Sequence, residues 1–359
     1  MRKILFTAIA AIVALCADAQ NGTPAAELLA RMERIQWRGV MMGHQDDPMY
    51  GTTWKYEAGR SDVKDVCGDY PAVMGFDLGK IEYGSERNLD GVPFSLMRDE
   101  IRAQHERGGI VTLSWHPGNP ATGGNSWDAK GRAVGKLLPG ASLASVCDEW
   151  LGRVADFIGS LKDKDGRRIP VIFRPWHEMN GAWFWWGCDS CTPEEYHRLY
   201  IHTHDFLTAR GLDNIVWAYS PNLSNGTPTE ESYLLYYPGD RYVDLLGTDV
   251  YQQSADNAAY RADVRKELKV VTAVGRSHGK LTALTETGHR GVPYERWFTE
   301  CLLPVITEFP ISYVLLWRNA WDNPEENFCA APDKAVAPDF VKFHDHASTL
   351  FIKDVAGLK

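Results

Sequence analysis

The sequence lacks a basic excess, a low-complexity tract and, beyond its first residues, any apolar run long enough to cross a bilayer. Its 359 residues carry 38 Lys and Arg against 47 Asp and Glu, which gives a formal net charge of −9. Disordered, fibrous and polytopic membrane proteins are thereby excluded, because each needs a composition or a pattern that is missing here. A nucleic-acid binder is disfavoured, since no surplus of cations is present to neutralise phosphates.

Signatures of cofactor and metal sites are also scarce. The first strand-like run ends in Gly43-His44-Gln45-Asp46, which is not the glycine-rich phosphate turn of a doubly wound fold. His44 and Asp46 raise the alternative of a metal-dependent barrel hydrolase, but such sites gather several His and Asp, and here only His116 could readily join them. We therefore expect no metal and no organic cofactor, with His44 and Asp46 hydrogen-bonding substrate hydroxyl groups or holding a loop.

Cysteines are few, and only Cys188 and Cys191 lie close together in sequence. A zinc site needs a second pair of ligands at matched spacing, and none is present. We interpret this pair as a local disulfide that closes a long loop. The pairing of the remaining cysteines stays open, because sequence alone does not choose among the possible connectivities.

The first residues form a short apolar segment behind two basic residues, and they end in Ala17-Asp-Ala19. This ending fits the small-x-small pattern of signal-peptide cleavage, and the segment is too short to span a bilayer. We therefore predict export to the periplasm or out of the cell, with residues 1–19 as signal peptide and residues 20–359 as one mature domain. Lipidation at Cys16 is a disfavoured alternative, since the residue before it fits a lipoprotein box poorly.

Short apolar runs recur along the chain, separated by segments with helical patterns. Apolar strands that alternate with helices predict a parallel sheet covered on both faces. Eight such units fit a single-domain α/β fold, the (β/α)₈ TIM barrel, and an open doubly wound sheet is the alternative. After a helix near Ala25–Ile35, the predicted strands are Gly39–Gly43, Ala72–Leu78, Gly109–His116, Val171–Glu178, Asn214–Ser220, Val243–Tyr251, Leu281–Thr287 and Ile311–Arg318.

Aromatic side chains concentrate at the predicted strand ends, where the active site of a barrel lies. The chain has 13 Trp, and most of them stand near these ends or in the loops that follow. Flat apolar faces with one polar edge suit the C–H faces of sugars, so we expect most of these side chains to face a sugar. They are Trp54, Trp115, Trp127, Trp176, Trp183, Trp185, Trp186, Trp217, Trp317 and Trp321.

Two glutamates, Glu178 and Glu286, end strands on opposite sides of the predicted barrel. Two carboxyl groups across a barrel mouth are the minimal equipment for glycoside hydrolysis, one to deliver a proton and one to attack the anomeric carbon. We expect Arg174 to favour the ionised form of Glu286 and Tyr251 to donate a hydrogen bond to the same carboxylate. Purely structural ion pairing of both glutamates is disfavoured by the surrounding aromatic rim.

These residues carry a specific resemblance. The segment Arg174–Gly181, with His177 before Glu178 and Trp183 five residues after it, resembles glycoside hydrolase family 26, whose members are mostly β-mannanases. The segment Leu284–Gly288 is similar to the nucleophile strand of that family, which belongs to a clan of (β/α)₈ retaining glycosidases. Two more strand ends, Trp115–Pro117 and Leu316–Asn319, resemble its substrate-binding strand ends.

The resemblance implies roles for single residues. Glu178 becomes the acid/base and Glu286 the nucleophile of a double displacement on β-1,4-mannosidic linkages in mannan, galactomannan, glucomannan or manno-oligosaccharides. The other implied residues bind the sugar at the cleavage point or support the glutamates, and they are His116, Arg174, His177, Trp183, Tyr251, Trp317 and Arg318.

Several alternatives stay open on the sequence. The family also includes enzymes that act on mixed-linkage glucan and on β-1,3-xylan, and an inactive sugar-binding barrel is a further alternative, disfavoured because both carboxylates are present. Internal cleavage and release of mannobiose from a chain end are both compatible with the sequence. The loops Lys80–Phe94 and Gly181–Thr192 are candidates for a wall that closes one end of the cleft. We infer neither a nucleic-acid partner nor an obligate protein partner.

Overall fold

The computed structural model of the protein describes residues 22–224 and 226–358. The predicted signal peptide, its cleavage site and Cys16 lie outside the described residues. Among the helices of the described part, none combines the length and the hydropathy needed to cross a membrane. The first helix, α1, spans Pro24–Gln36, where Thr23 accepts a hydrogen bond from the Ala26 N–H and Pro24 occupies the first turn.

Parallel strands form a closed barrel. The hydrogen-bonded order is β2-β3-β4-β5-β6-β7-β8-β1, and β1 also pairs with β2, which closes the sheet on itself. The predicted (β/α)₈ architecture is therefore confirmed. A short ninth strand pairs with β1 at the N-terminal end of the barrel. The strands are β1 Val40–Gln45, β2 Val73–Asp77, β3 Ile110–Ser114, β4 Val171–Arg174, β5 Ile215–Tyr219, β6 Leu245–Gln252, β7 Leu281–His289, β8 Tyr313–Leu316 and β9 Thr349–Leu350.

Helices follow the strands and cover the outside of the barrel. Helix α6 spans Pro193–Ala209, and its start is capped by a reciprocal capping box between Thr192 and Glu195, with Pro193 in the first turn. Helix α8 spans Asn257–His278, and Gly279 ends it in a left-handed conformation with φ 64°. The remaining α-helices are α2 Asp62–Cys67, α3 Phe94–Glu106, α4 Ala133–Leu137, α5 Ala144–Ser160, α7 Glu230–Leu234, α9 Leu303–Ile306, α10 Ala337–His344 and α11 Ile352–Val355.

One apolar cluster fills the N-terminal half of the barrel interior. Each of the eight barrel strands contributes at least one buried side chain to it, and α1 lies across it with Leu28, Met32 and Ile35. This end of the barrel is thus closed by packing, which leaves the opposite end open. The barrel-strand side chains are Met41, Val73, Ile110, Ile172, Val216, Ala218, Leu245, Ala283, Tyr313 and Leu315.

Two predictions of local structure are wrong. Strand β4 ends at Arg174 and not at Glu178, because Pro175 offers no N–H to a neighbouring strand and Trp176 and Glu178 both adopt left-handed backbone with φ 54°. The expected Cys188–Cys191 disulfide is absent, and each cysteine in the described part of the chain is a free thiol. The Cys191 thiol is instead buried against the carbonyl oxygens of Trp186 and Gly187, while Cys188 is exposed.

Candidate active site

A cleft of about 390 Å³ opens at the C-terminal ends of the barrel strands. Glu178 and Glu286 both line it, together with aromatic and polar side chains. The lining residues are His116, Trp127, His177, Glu178, Trp183, Phe184, Asn222, Tyr251, Gln252, Gln253, Glu286, Arg290, Trp317, Glu326 and Phe328.

Glu178 is held in a buried position that favours its protonated form. Its backbone N–H donates to the carbonyl oxygen of Ser220 at 2.8 Å. Its carboxylate accepts hydrogen bonds from Trp183 Nε1 at 2.7 Å and from Asn222 Nδ2 at 3.0 Å. Burial, together with the nearby negative charge of Glu286, raises the pKa of Glu178 to about 7 despite these two donors. A carboxyl with that pKa can hold a proton near neutral pH and can also release it.

Glu286, on β7, accepts hydrogen bonds from two neighbouring side chains. The guanidinium of Arg174 donates to Oε1, and the hydroxyl of Tyr251 donates to Oε2 at 2.8 Å. Burial and the charge of Glu286 raise the pKa of Tyr251 well above its usual value, so this hydroxyl keeps its proton and remains a donor. The structure therefore brings Arg174 and Tyr251 to the carboxylate that the sequence assigned to them.

A third carboxylate, Asp249, lies beside the pair and was not among the predicted site residues. It accepts hydrogen bonds from Arg174 Nη1 at 2.9 Å and from Thr285 Oγ1 at 2.7 Å. The register between β6 and β7 shifts after Thr248, which places Asp249 opposite Glu286. Asp249 thus holds the Arg174 guanidinium in place through this ion pair. The sequence signal for Asp249 was its position two residues before Tyr251, near the end of a predicted strand.

One oxygen from each of Glu178, Asp249 and Glu286 lies within 4.8 Å of the others. By distance alone such a cluster could hold a metal ion. Arg174, however, contacts two of the three carboxylates, so the position that a cation would take already faces a positive charge. The donor set fits a cation poorly, and the arrangement suits a pair of carboxyl groups that act on a substrate.

A chain of polar side chains connects β2 to the cleft. Asp77 Oδ2 lies 2.6 Å from His116 Nδ1, and His116 Nε2 lies 3.1 Å from His177 Nε2. Burial alone lowers the pKa of His116, but Asp77 outweighs it and the net shift is upward. Burial, Arg174 and His116 hold the pKa of His177 well below its usual value. These opposite shifts make His116, rather than His177, the member of the pair that binds an extra proton more readily.

Most of the strand-end tryptophans pack in the interior, so the expectation that most face a sugar is wrong. Trp127, Trp183 and Trp317 line the cleft, and Trp127 stacks on His116 with ring centroids 5.5 Å apart. Trp185 and Trp186 are fully buried and donate to the carbonyl oxygens of strand-end residues. The buried members of the set are Trp54, Trp115, Trp176, Trp185, Trp186 and Trp217.

Arg318 lies apart from the two glutamates. Its guanidinium pairs with Asp90 at 2.7 Å, in the loop that follows β2. Nearby, Asp46 accepts from the Tyr50 hydroxyl at 2.7 Å, and both are buried. His44 is buried against Asp47, so its side chain holds the loop at this first strand end. Neither His44 nor Asp46 lines the cleft.

Comparison with known proteins identifies the family. The family model described as "Glycosyl hydrolase family 26" matches residues 17–300. A mannan endo-1,4-beta-mannosidase of Bifidobacterium adolescentis is 38% identical over 243 residues, which cover 65% of this chain and 24% of that protein. A protein of the same name from Bacillus subtilis strain 168 is 28% identical over 307 residues, which cover 82% of this chain and 78% of its own length.

A solved structure agrees with the sequence comparisons. The GH26 β-mannanase of Bacteroides ovatus superposes with a TM-score of 0.90 at 46% identity, over 92% of this chain and 95% of that chain. The present chain spans about a quarter of the Bifidobacterium protein and nearly all of the Bacteroides structure. Because the family model covers most of the barrel and includes Glu178 and Glu286, the chain belongs to glycosyl hydrolase family 26.

Proposed function

We propose that this protein hydrolyses β-1,4-mannosidic linkages in mannan, galactomannan, glucomannan or manno-oligosaccharides with retention of anomeric configuration. One observation carries the proposal. Two carboxyl groups with different surroundings face one cleft, and one oxygen of each lies within 4.8 Å of the other. Retaining glycosidases place these groups about 5–5.5 Å apart, whereas inverting ones need about 6.5–9.5 Å to admit a water molecule.

In the first step the Glu286 carboxylate attacks the anomeric carbon while the glycosidic C–O bond breaks. Glu178 gives its proton to the departing oxygen, so the released chain leaves as an alcohol. The product at the enzyme is a glycosyl ester on Glu286, with inverted configuration at the anomeric carbon. Arg174 and Tyr251 each donate a hydrogen bond to Glu286 and orient its carboxylate before attack.

In the second step Glu178, now a carboxylate, takes a proton from water. The water oxygen attacks the anomeric carbon on the face left by the first product, and the ester bond to Glu286 breaks. Two inversions give net retention. A pKa of about 7 suits Glu178 to both steps, because the group must hold a proton in one and accept it in the other.

Substrate choice rests on the relatives and on the shape of the cleft. The relatives described above are mannan-active by name, and the cleft sets Trp127, Trp183 and Trp317 where they can contact sugar rings. Carboxylates alone do not distinguish mannan from other β-linked glycans. The proposal therefore takes mannan as the substrate, and the glucan and xylan alternatives become arms of the test.

Reducing-sugar release from mannan, lichenan and β-1,3-xylan tests this proposal. Wild-type protein should release sugar from mannan far faster than from the other two, and Glu286→Ala should release none. NMR of the first product formed from a manno-oligosaccharide should show the β-anomer before mutarotation. Turnover of lichenan or xylan alone would overturn the mannan assignment, and an initial α-anomer would overturn retention.

Product analysis decides between internal and terminal cleavage. A time course on mannohexaose should show a mixture of intermediate lengths if chains bind along an open cleft. Steady release of mannobiose from the outset would indicate a wall at one end. Gly181–Thr192 carries Trp183 and Phe184 into the cleft, and Lys80–Phe94 reaches the barrel mouth through the ion pair between Asp90 and Arg318.

We further propose that residues 1–19 direct export and that the mature protein acts in the periplasm or outside the cell. The basic, apolar and small-x-small order of this segment supports the proposal. Cell fractionation and N-terminal sequencing should find mature protein that begins at Gln20. Cys16→Ser should leave processing unchanged, whereas loss of membrane association in that variant would indicate a lipoprotein.

A further inference from the structure

Glu267 is a buried carboxyl group on the outer helix α8, and its side chain does not reach the cleft. It is 1% exposed. Its Oε2 accepts from the Leu223 N–H at 3.2 Å and contacts the Thr248 hydroxyl, and its Oε1 accepts from the Ser224 hydroxyl at 3.1 Å. All of these partners lie on β6 or on the loop that follows β5. A buried carboxyl is costly unless its oxygens are bonded, so Glu267 ties α8 firmly to that loop.

The same loop carries Asn222 into the cleft. Asn222 Nδ2 donates to Glu178 Oε1 at 3.0 Å, and the Asn222 N–H donates to Asn180 Oδ1 at 2.8 Å. Leu223 and Ser224, the two residues bonded to Glu267, follow Asn222 directly. Any shift of these two residues therefore moves the donor that faces Glu178.

We propose that Glu267 is a positioning residue that holds Asn222 against the acid/base Glu178. The inference rests on the proposed glycosidase function, in which Glu178 both delivers and accepts a proton. Glu267 lies on the outer helix α8, whereas the other residues of the proposed mechanism lie at or just after the ends of the barrel strands. Glu267 touches neither substrate nor reacting atoms, and it acts through the loop.

The effect on Glu178 has a definite sign. A hydrogen bond to the ionised form of a carboxyl lowers its pKa, and the Asn222 bond acts in this direction on Glu178. Arg174 also lowers the pKa of Glu178, while burial and Glu286 raise it. Release of Asn222 leaves the raising effects in place, so the pKa of Glu178 should rise further. Its orientation toward the leaving oxygen should loosen at the same time.

A comparison of leaving groups tests the proposal. Glu267→Ala should lower kcat/KM about ten-fold for mannotetraose, whose leaving oxygen needs a proton from Glu178. For a dinitrophenyl mannobioside, whose leaving group needs no proton, kcat/KM should stay within about two-fold of wild type. The alkaline limb of the mannotetraose profile should move to higher pH in the same variant.

Two further variants separate positioning from folding. Glu267→Gln keeps an oxygen that can accept from Leu223, and it should restore the wild-type dependence on leaving group. Leu268→Ala, at a buried neighbour on α8 with no bond to the loop, should lower the melting temperature without changing the ratio of the two kcat/KM values.

The outcomes are distinguishable. An equal loss on both substrates in Glu267→Ala would overturn the positioning role while leaving the glycosidase function intact. A selective loss on mannotetraose in Leu268→Ala, as large as that in Glu267→Ala, would do the same. Wild-type protein that cleaves neither substrate would overturn both. A selective loss on mannotetraose, together with rescue by Glu267→Gln, supports the proposal.

Discussion

At the scale of single residues, the backbone of the acid/base segment is unusual. Trp176 and Glu178 both have φ 54°, a left-handed conformation that costs about 1–3 kcal/mol for a residue other than glycine. The surrounding structure holds both, since the Tyr196 hydroxyl donates to the Trp176 carbonyl oxygen at 2.9 Å and the Glu178 N–H donates to Ser220. This turn sets the Glu178 carboxyl beside Glu286.

The two glutamates should respond differently to removal. Glu286→Ala should abolish turnover of every substrate, because no glycosyl ester can form. Glu178→Ala should keep the first step for an aryl mannoside with a good leaving group and then accumulate the ester, since no base activates water. Stopped-flow measurement of aryl release should show a burst in Glu178→Ala, and azide should restore turnover. A burst in Glu286→Ala would reverse the assignment.

Tyr251 should contribute to rate more than to stability. Tyr251→Phe removes only the hydroxyl that donates to Glu286 at 2.8 Å. Loss of a hydrogen bond to a charged group costs about 1.5–3 kcal/mol, which corresponds to roughly ten- to a hundred-fold in kcat/KM. The melting temperature should change little.

A matched tyrosine on α8 provides the control. The Tyr260 hydroxyl lies 2.6 Å from Thr287 Oγ1, is buried and does not line the cleft. Tyr260→Phe should therefore affect stability but leave kcat/KM near wild type. If both variants lose activity in proportion to their stability, Tyr251 is a packing residue.

At the scale of elements, the loops after β3 and β4 carry two kinds of tryptophan. Trp127 is 52% exposed and faces the cleft, while Trp185 is fully buried and donates to the Pro117 carbonyl oxygen at 2.9 Å. The first kind can contact sugar, and the second kind packs the loops against each other. Sequence position alone does not separate them, since both follow strand ends.

These two tryptophans should therefore differ on truncation. Trp185→Ala should lower the free energy of unfolding by about 3–5 kcal/mol, the usual cost of deleting a buried aromatic side chain. Trp127→Ala should leave unfolding nearly unchanged and lower kcat/KM on mannan, because positioning of the sugar is lost. Chemical denaturation and steady-state kinetics on both variants measure this contrast. A Trp185→Ala variant with the unfolding free energy of wild type would contradict the predicted packing role.

At the scale of the whole molecule, stability should depend on pH through Glu178. Its pKa is raised to about 7 by burial and by Glu286, above the value of 4.5 for a free glutamate. Between these two values the unfolded chain has lost a proton that the folded protein keeps. Folding therefore becomes less favourable as pH rises through this window, by about 3 kcal/mol in total.

Glu178→Gln should remove that dependence. The variant should match wild type in unfolding free energy near pH 4 and exceed it above pH 7, since the amide does not ionise. Urea denaturation of both proteins between pH 4 and 8 measures the difference. Glu57→Gln, at an exposed carboxyl paired with Arg60, is the control and should leave the pH dependence unchanged. Parallel curves for wild type and Glu178→Gln would show that the Glu178 pKa is ordinary.

Sequence patterns were sufficient for the architecture and for the two central glutamates. Alternating apolar runs and helical segments predicted the barrel, because buried parallel strands need apolar side chains on both faces. Every barrel strand was located to within a few residues, except at the end of β4. The capping residues of α6, Thr192 and Glu195, are neighbours in sequence, so this helix start depends on a local pattern.

Tertiary structure alone decided which side chains meet. Asp249, Asn222 and Glu267 matter through contacts between residues far apart in sequence. Asp249 bonds Arg174, 75 positions away, and Asn222 bonds Glu178, 44 positions away. Glu267 contacts Thr248, 19 positions away. The division of the tryptophans into packing and cleft residues, and the free thiols of Cys188 and Cys191, likewise depend on how loops fold over the barrel mouth. Local periodicity records which face of an element is apolar, whereas loop packing and long-range hydrogen bonds form only once all eight strands have closed around a common axis.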